Sequence, residues 1–305
     1  MTLIAFVGAV ELGLVFSLLA LGIFINYRIL GVADLTVEGS FTTGAAISAI
    51  FVVAGAPLWG LPAAALGGAA AGVCAALLQT KMRVQPILAG ILVMTALYSV
   101  NLYIMDGRPN IPLLRIDTIF THFGNLTGNM RIGPGAFERL VLPLLFALAT
   151  WVILAVFFHS KLGLAVRATG DNEEMVRASS INSTMTKTVG LAMGNGFAAL
   201  SGSLFAQYQG FADINAGFGM VVVALASLIV GEALFGRRNV IWNIGTVIAG
   251  SVVYRIILAL AISFRLNPIN LRAVSAIIVA AAISYPAIKN LWGVYILKRK
   301  ARAHA

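Results

Sequence analysis

Residues 61–78 read LPAAALGGAAAGVCAALL, a run of apolar and small residues without a charged side chain. An apolar stretch of about 20 residues crosses the hydrocarbon of a bilayer as an α-helix, because a helix satisfies its own backbone hydrogen bonds. A membrane-spanning β-strand would instead alternate apolar and polar residues over about ten positions. This run does not alternate, so it predicts a transmembrane helix.

The composition extends that interpretation to the whole chain. Of its 305 residues, 60% are hydrophobic and only 10% are charged, and the mean hydropathy is +0.94. Soluble domains carry about 25% charged residues, so this composition argues against a water-soluble enzyme and against a nucleic-acid binder. The formal charge of +10 then indicates membrane orientation rather than nucleic-acid binding. Cys74 is the single cysteine, which excludes an internal disulfide and a multi-cysteine metal site.

Nine stretches are apolar and long enough to be spans. They are approximately residues 2–26, 38–55, 58–80, 84–105, 140–159, 188–208, 219–235, 241–263 and 270–287. The second and the seventh are short, which is typical of broken helices. The sequence therefore predicts an all-α polytopic membrane protein, in which residues 1–305 form a single transmembrane domain.

The distribution of lysine and arginine predicts the direction of the spans, because these residues concentrate in cytoplasmic loops. They fall mostly on the inner side when the N terminus is outside and the C terminus is in the cytoplasm. This orientation places the loop 106–139 outside, where IDTIFTHF predicts a short interfacial helix. It places the loop 160–187 and a basic tail, residues 291–305, in the cytoplasm.

Two segments of the chain resemble each other, namely VADLTVEGSF at 32–41 and FADINAGFGM at 211–220. Each carries an alanine–aspartate pair and leads into a short span, and in this topology the two spans run in opposite directions. Residues 1–105 and 188–290 would then be inverted repeats, a construction typical of transporters whose broken helices line the pathway. Chance similarity between glycine-rich membrane segments is the alternative.

The cytoplasmic stretch GLAVRATGDNEEMVRASSINSTMTK, residues 163–187, holds the most specific pattern in the chain. Asp171 or Asn172 is suited to cap a short helix, whose first turn holds two glutamates where the helix dipole favours negative charge. One face of that helix would be apolar, formed by Met175, Val176 and Ala178. A short amphipathic helix between two spans is suited to enter a groove on a soluble partner. A solvated loop that obeys the positive-inside rule is the alternative.

Four segments carry a family pattern: GLAVRATGDNEEMVRASSIN, the following LAMGNGFAALSGSLFA, ADLTVEGSFTTGA, and VQPILAGILVMT at 84–95. With them the sequence resembles the permease subunits of bacterial ATP-binding-cassette (ABC) importers, in the group of branched-chain amino-acid, ribose-type and purine-nucleoside-type permeases. In that family the cytoplasmic loop is the coupling helix that docks on the ATPase subunit. The resemblance carries this contact over to Gly170, Asp171, Asn172, Glu173, Glu174, Met175, Val176, Arg177 and Ala178.

The resemblance also implies the partners. Two copies of a separate cytoplasmic ATPase would bind ATP and magnesium, an extracytoplasmic binding protein would deliver the substrate, and a second permease copy would complete a homodimer in the lipid of the bacterial plasma membrane. The sequence has no GxxxxGK[ST] phosphate loop and no paired metal-ligand or nucleophile motif, so we expect neither enzyme activity nor a bound cofactor or metal in this chain.

Within the family, NLYIMDGRPNIPLL at 101–114 looks most like a subgroup of tryptophan and tyrosine permeases. Glu232 departs from the small residue of the sugar and branched-chain permeases, which puts a transfer of their substrates in doubt. We expect Glu232 to form a local ion pair with Arg237.

Polar side chains within the predicted spans are candidates for the substrate pathway, because charge in the bilayer interior is costly. We expect acceptors for an ammonium group at the start of the second span, at Glu38 and Thr42, and donors for a carboxylate at Asn101, Asn195 and Gln207. Interhelical hydrogen bonds are the alternative for the amides. For Glu38 the alternatives are a helix-start carboxylate or the partner of a buried arginine.

Three charged residues have other expected roles. Asp34 and Asp213 open the two short spans, so we assign them a helix-capping or hinge role rather than substrate contact. Arg255 lies deep in the eighth span and requires a carboxylate, which Glu11 or Glu38 could supply.

These observations predict the transmembrane permease subunit of an ABC importer, which forms the pathway for a small polar solute, with an aromatic amino acid favoured. An ion-gradient-driven secondary transporter is the alternative from another class, since Glu38 and Asp34 could serve as ion sites. ABC permeases for nucleosides or sugars, and a structural membrane subunit without a pathway, are further alternatives.

Overall fold

The apolar sequence folds into helices in the computed structural model, which describes residues 2–128, 131–132 and 135–263. The helices are α1 (Leu3–Ile23), α2 (Thr36–Val53), α3 (Pro57–Thr80), α4 (Pro86–Ile104), α5 (Ile119–Leu126), α6 (Phe137–His159), α7 (Lys161–Asp171), α8 (Glu173–Ala178), α9 (Ser183–Gln209), α10 (Met220–Phe235) and α11 (Val240–Ser263). A π-helical segment, Phe24–Ile29, extends α1. The strands are β1 (Asn110–Pro112), β2 (Arg131–Ile132), β3 (Gly135–Ala136) and β4 (Phe211–Asp213).

Seven of the described helices are long and apolar enough to cross a membrane, and α10 is a shorter apolar helix of 16 residues. Together they coincide with the first eight predicted spans, and α5 forms where IDTIFTHF predicted a helix. The all-α polytopic fold class is therefore confirmed. The predicted ninth span, residues 270–287, and the basic tail, residues 291–305, lie outside the described residues.

Helix α9 begins earlier than its predicted span, at Ser183 instead of residue 188. The Asn182 side chain accepts a hydrogen bond from the Met185 N–H at 3.1 Å, so it caps the helix inside the cytoplasmic loop. Helix α9 therefore extends beyond its predicted span into the loop 160–187, where it meets the helices of that loop.

Helix α9 is central to the bundle and packs against α1, α2 and α3. Small residues let the helix axes approach closely. A Cβ on Gly22 would lie 2.4 Å from the Gly194 carbonyl oxygen, and one on Gly72 would lie 2.3 Å from that of Leu191. The glycines of the apolar runs are therefore packing residues at helix crossings.

The helix contacts have the symmetry that an inverted repeat requires. Helices α1, α2 and α3 correspond in order to α9, α10 and α11. Within each set, the second helix packs on the third. Between the sets, α3 packs on α9, and its counterpart α11 packs in the same way on α1. Helices α1 and α9 run antiparallel, since the Ser201 hydroxyl donates to the Val15 carbonyl at one end and Leu30 contacts Gly190 at the other. This packing supports the repeat predicted from the two alanine–aspartate segments.

A two-stranded antiparallel sheet joins the external loop to the second of those segments. Strand β1 pairs with β4 in the register Asn110 with Asp213, Ile111 with Ala212 and Pro112 with Phe211. The Leu113 N–H also donates to the carbonyl of Gly210, which ends α9 with a φ of +80°. The pair therefore fixes where the chain leaves α9 and turns towards α10. Strands β2 and β3 form a second antiparallel pair.

We predict that Gly44→Ala destabilises the bundle. A Cβ at this position would lie 1.8 Å from the Ala199 carbonyl oxygen, so α2 would have to move away from α9. Overpacking of this kind costs about 1–3 kcal/mol, and thermal unfolding of the purified protein in detergent measures it. Gly8→Ala is the matched control, because nothing lies within 4 Å of its added Cβ. Equal melting temperatures for the two variants would contradict the close contact between α2 and α9.

Candidate functional site

A buried polar network closes the break between the π-helical segment and α2. The Asp34 carboxylate accepts hydrogen bonds from the Thr36 N–H at 2.9 Å, from the Asn26 amide at 3.0 Å and from the Asn195 amide at 2.7 Å. The Asn195 side-chain oxygen in turn accepts from the Ser40 hydroxyl at 2.7 Å. The network joins α1, α2 and α9, so Asp34 stabilises the turn before α2.

Asp213 repeats this local geometry in the second broken segment. Its carboxylate accepts from the Asn215 N–H two residues on, at 2.7 Å, just as Asp34 accepts from Thr36. An amide side chain, that of Asn110, also donates to it at 3.5 Å. Both aspartates therefore stabilise a turn that precedes a short helix. Neither occupies the cap position itself, which is Leu35 for α2 and Gly219 for α10, and the hinge role stays a prediction.

Two of the amides predicted for the pathway have structural roles instead. All polar atoms of the Asn195 side chain are engaged in the network around Asp34. The Gln207 side chain accepts from the Ile119 N–H at 2.8 Å and donates to the Ser48 hydroxyl and the Pro57 carbonyl. Because their hydrogen bonds are used within the protein, we reassign both amides from the pathway to the packing of α9.

The other three predicted pathway residues, Glu38, Thr42 and Asn101, line one cavity of about 230 Å³ between α2, α4 and the segment before α10. Its remaining walls are Gly39, Met94, Thr95, Tyr98, Ser99, Ile214, Gly217 and Phe218. We call this space the inner cavity. It combines a carboxylate, an amide, hydroxyl groups and two aromatic rings, which is the mixture of apolar wall and few polar groups found in small-molecule sites.

Glu38 connects the two broken segments at this cavity. It lies in the first turn of α2, and its carboxylate accepts hydrogen bonds from the Gly219 N–H at 3.0 Å and the Val221 N–H at 3.4 Å, at the start of α10. The Thr42 hydroxyl accepts from the Gly217 N–H at 3.1 Å. The helix-start role considered for Glu38 is thus present, and it extends to a second helix whose positive end the carboxylate also faces.

Asn101 contributes a free acceptor to the same cavity. Its amide nitrogen donates to the Gly39 carbonyl at 3.4 Å, whereas its buried side-chain oxygen has no hydrogen-bond partner within the described residues. A buried polar atom without a partner is costly, and this oxygen is shielded, so a ligand donor would reach it only after a local rearrangement.

Neither carboxylate proposed for Arg255 pairs with it. Glu11 accepts a hydrogen bond from the Tyr208 hydroxyl at 2.7 Å, and Glu38 faces α10. Arg255 instead lies over the ring of Phe16, with its Cζ 3.8 Å from the ring centroid. The expected intramembrane ion pair is therefore absent from the described part of the chain, in which every acidic residue of the sequence falls.

The cytoplasmic loop forms two helices, α7 and α8, separated at Asn172. The Asn172 side chain accepts from the Met175 N–H at 3.0 Å, so Asn172 caps α8, while Asp171 ends α7. Glu173 pairs with Arg177 one turn later and with Lys187 of α9. The Arg177 side chain also donates to the Ser183 hydroxyl at 2.9 Å. These contacts fasten α8 to the N-terminal end of α9.

The pKa of the Glu173 carboxyl lies below its usual range. Partial burial acts to raise this pKa, but the hydrogen bond and charge of Lys187, followed by the charge of Arg177, outweigh the burial. Glu173 is therefore ionised at neutral pH and the ion pairs are maintained.

The face predicted to be apolar is divided between the two sides of α8. Val176 points inward and is only 4% exposed, whereas Met175 is 68% exposed. Gly170 also packs inward, since a Cβ there would collide with the Ile29 carbonyl oxygen. The outer side consists of exposed residues, namely Asp171, Asn172, Glu174, Met175, Arg177 and Ala178. The contact surface carried over from Gly170 to Ala178 is thus reduced to these positions.

Glu232 forms the predicted ion pair with Arg237 and a second one with Arg28, whose Nε lies 3.0 Å from it. It therefore ties the end of α10 to the end of the π-helical segment. Three residues of these sites, Asn26, Tyr98 and Phe218, were not predicted from the sequence. Asn26 is an amide within an apolar run, which is a usable signal, but the two aromatic residues resemble ordinary membrane-helix side chains.

Residues 6–283 match the protein family described as branched-chain amino acid transport system, permease component. The chain belongs to this family of ABC transporter permeases. It is a multi-pass protein of the bacterial inner membrane. The family resemblance read from the four sequence segments is thereby confirmed.

Two relatives show the range of cargo within the family. The permease is 36% identical over 272 residues to the tyrosine transport system permease protein of Clostridioides difficile (strain R20291), covering 89% of this chain and 88% of that protein. It is 29% identical over 237 residues to the ribose import permease protein of Escherichia coli (strain K12), covering 77% of this chain and 68% of that protein.

A solved structure shares the fold. The permease aligns with an ABC transporter of the metal-chelate type, solved in an inward-facing conformation, with a TM-score of 0.50 over 93% of this chain and 85% of that chain. The sequence identity is 14%, so this likeness concerns the arrangement of helices and not the cargo.

We predict that Glu38→Ala destabilises the permease more than Glu38→Gln does. Alanine leaves the Gly219 and Val221 N–H groups without their acceptor, and a hydrogen bond contributes about 0.5–1.5 kcal/mol to stability. Glutamine keeps a side-chain oxygen for them. Thermal unfolding in detergent measures both variants, with exposed Asp117→Asn as the control for loss of a carboxylate. Equal stability of the two Glu38 variants would contradict the role of this side chain as the acceptor at α10.

Proposed function

We propose that this permease forms the pathway of an ATP-driven importer for an amino acid, with aromatic amino acids as the favoured cargo. The observation that carries the proposal is the inner cavity, to which both broken segments contribute and in which Glu38 and Asn101 offer acceptors beside two aromatic rings. The tyrosine transport permease among the relatives supports the choice of cargo.

The chemistry of the cavity fits a zwitterion with an aromatic side chain. An ammonium group requires acceptors, which the Glu38 carboxylate supplies. The Asn101 oxygen, unpartnered within the described residues, would add a second acceptor once a local rearrangement exposes it. Tyr98 and Phe218 offer aromatic surface for a ring, and ring pairs gain about 0.5–1.5 kcal/mol beyond the burial of their area. Because Glu38 also holds the start of α10, cargo that competes for its carboxylate would loosen the contact between the two broken segments.

The driving force comes from a separate ATPase, which binds ATP and magnesium and docks on the outer side of α8. Exposed apolar side chains surround that helix on the cytoplasmic side, namely Leu164 of α7, Met175 of α8, Ile181 between α8 and α9, and Met185 of α9. Glu174 and Arg177 lie among them and supply charge. A small apolar surface with charged neighbours is suited to a groove on a soluble protein.

A displacement of α8 is transmitted through α9 to the membrane-spanning helices. Glu173 and Arg177 tie α8 to Lys187 and Ser183 at one end of α9, and Asn195 ties the middle of α9 to Asp34. A displacement of α8 by the ATPase therefore acts on the break before α2, next to Glu38. A second copy of the permease completes the pathway, and an extracytoplasmic binding protein delivers the cargo.

A sugar is the second candidate cargo. The ribose import permease among the relatives favours it, and acceptors beside aromatic rings also suit a hydroxylated ring. The two candidates differ in charge, because a sugar lacks the ammonium and the carboxylate of an amino acid.

We predict that Met175→Asp abolishes ATPase docking and reduces tyrosine uptake at least tenfold. The side chain is exposed and the substitution leaves the ion pairs of Glu173 intact, so the permease itself should fold normally. Co-purification of the ATPase and ATP-dependent uptake in proteoliposomes measure the effect. Leu126→Asp is the matched control, since it places the same charge at an exposed apolar position of α5 in the external loop. It should leave ATPase co-purification unchanged.

These assays distinguish docking on α8, the importer mechanism and the two candidate cargoes from their alternatives. Full co-purification and uptake with Met175→Asp would refute docking on α8. Uptake that follows an ion gradient and continues without ATP would refute the importer mechanism. In the same wild-type assay, competition by tryptophan and not by ribose supports aromatic cargo, whereas transport of ribose without tyrosine replaces it by the sugar.

A further inference from the structure

Arg255 lies on α11, a membrane-spanning helix, and none of the described residues neutralises its charge. Its Nε is shielded from solvent and has no hydrogen-bond partner within the described residues. None of the chain's acidic residues forms an ion pair with it, and all of them belong to the described part. The guanidinium is stabilised on one side by the face of the Phe16 ring, 3.8 Å away.

The same arginine lines a second cavity, of about 470 Å³, which we call the outer cavity. Its walls come from the end of α9, from β4 and the turn after it, and from the start of α10. Aromatic residues Phe205, Phe211 and Phe218 line it, and so does Asp213. Phe218 is shared with the inner cavity, so the two spaces adjoin.

An arginine without a counter-charge is costly inside a membrane, and such residues normally pair or bind an anion. The guanidinium presents donors in a planar fork that matches a carboxylate, and bonds between two charged groups are about twice as strong as neutral ones. The outer cavity thus contains a donor that has no acceptor among residues 2–128, 131–132 and 135–263. A ligand that brings its own carboxylate would supply that acceptor.

We infer that Arg255 binds the carboxylate of an aromatic amino acid in the outer cavity. The outer cavity would then be a binding site that the cargo occupies before it enters the inner cavity. This inference rests on the proposed import of an amino acid and adds the residue that selects for the acid group. The phenylalanines surround the ring, and Asp213 provides negative charge for the ammonium. A neutral sugar would leave Arg255 without its counter-charge, and a dianion would be opposed by Asp213.

The test measures direct binding to the purified full-length permease in lipid nanodiscs, where no binding protein contributes selectivity. Saturation-transfer-difference NMR reports weak binding through the aromatic protons of the ligand. The probes are tyrosine and tyramine, which differ only by the carboxylate. The proteins are the wild type, Arg255→Met, Arg255→Lys, and Arg139→Met as a control that removes an exposed arginine beside an aromatic ring, that of Tyr208.

The wild type should bind tyrosine at least tenfold more tightly than tyramine, a difference of about 1.4 kcal/mol, since tyramine lacks the group that bonds to the guanidinium. Arg255→Met should lose this difference by weakening tyrosine binding and not tyramine binding, Arg255→Lys should retain part of it, and Arg139→Met should retain all of it. A purely structural role for Arg255 would weaken both ligands equally.

Two results overturn the inference while the proposed import of amino acids stands: equal binding of the two probes by the wild type, or undiminished preference for tyrosine in Arg255→Met. If Arg255→Met fails to fold, the wild type and Arg255→Lys still decide the question through the same preference. Binding of ribose by the wild type without binding of tyrosine would instead overturn the proposed cargo.

Discussion

A backbone N–H or C=O group within a bilayer has no water to bond with, so each break in a membrane helix must be closed by another part of the protein. This constraint determines the centre of the permease. Asp34 bonds the backbone and the amides around the break before α2, and Glu38 bonds the N–H groups that begin α10. The side chains that close the breaks also bring the two repeats together, and the inner cavity lies where they meet.

The same contacts give a route from the cytoplasm to the cavities. Helix α8 is fastened to α9 by the ion pairs of Glu173, and α9 is fastened to the first break by Asn195. Glycine contacts along α9 hold the helices so closely that they must move together rather than slide freely. A force on the exposed side of α8 therefore acts on the two broken segments, which are the parts of the bundle with the least regular backbone.

The sequence was sufficient for the membrane spans, because hydropathy over about 20 residues is a local property that tertiary packing does not reverse. The turns at Asp34 and Asp213 were also predictable, since an aspartate bonds backbone within two residues, but the helix caps are Leu35 and Gly219 instead. The structural roles of Asn195 and Gln207 could not be predicted from the sequence. Their hydrogen-bond partners are up to 161 residues away in sequence, and only the packing of α9 brings them together. The predicted ion pair of Arg255 with Glu11 or Glu38 was wrong for the same reason, since nothing in the local sequence indicates which side chains lie next to this arginine.

The central claim is that this permease is a passive pathway which a separate ATPase operates through α8. Cryo-electron microscopy of the full transporter in lipid nanodiscs, with its ATPase and without nucleotide, tests that claim most directly. We predict density for an ATPase seated against the outer side of α8, with Met175 and Glu174 at the contact and Val176 buried within the permease. A complete assembly in which α8 is surrounded by solvent, or faces the exterior of the cell, would contradict it.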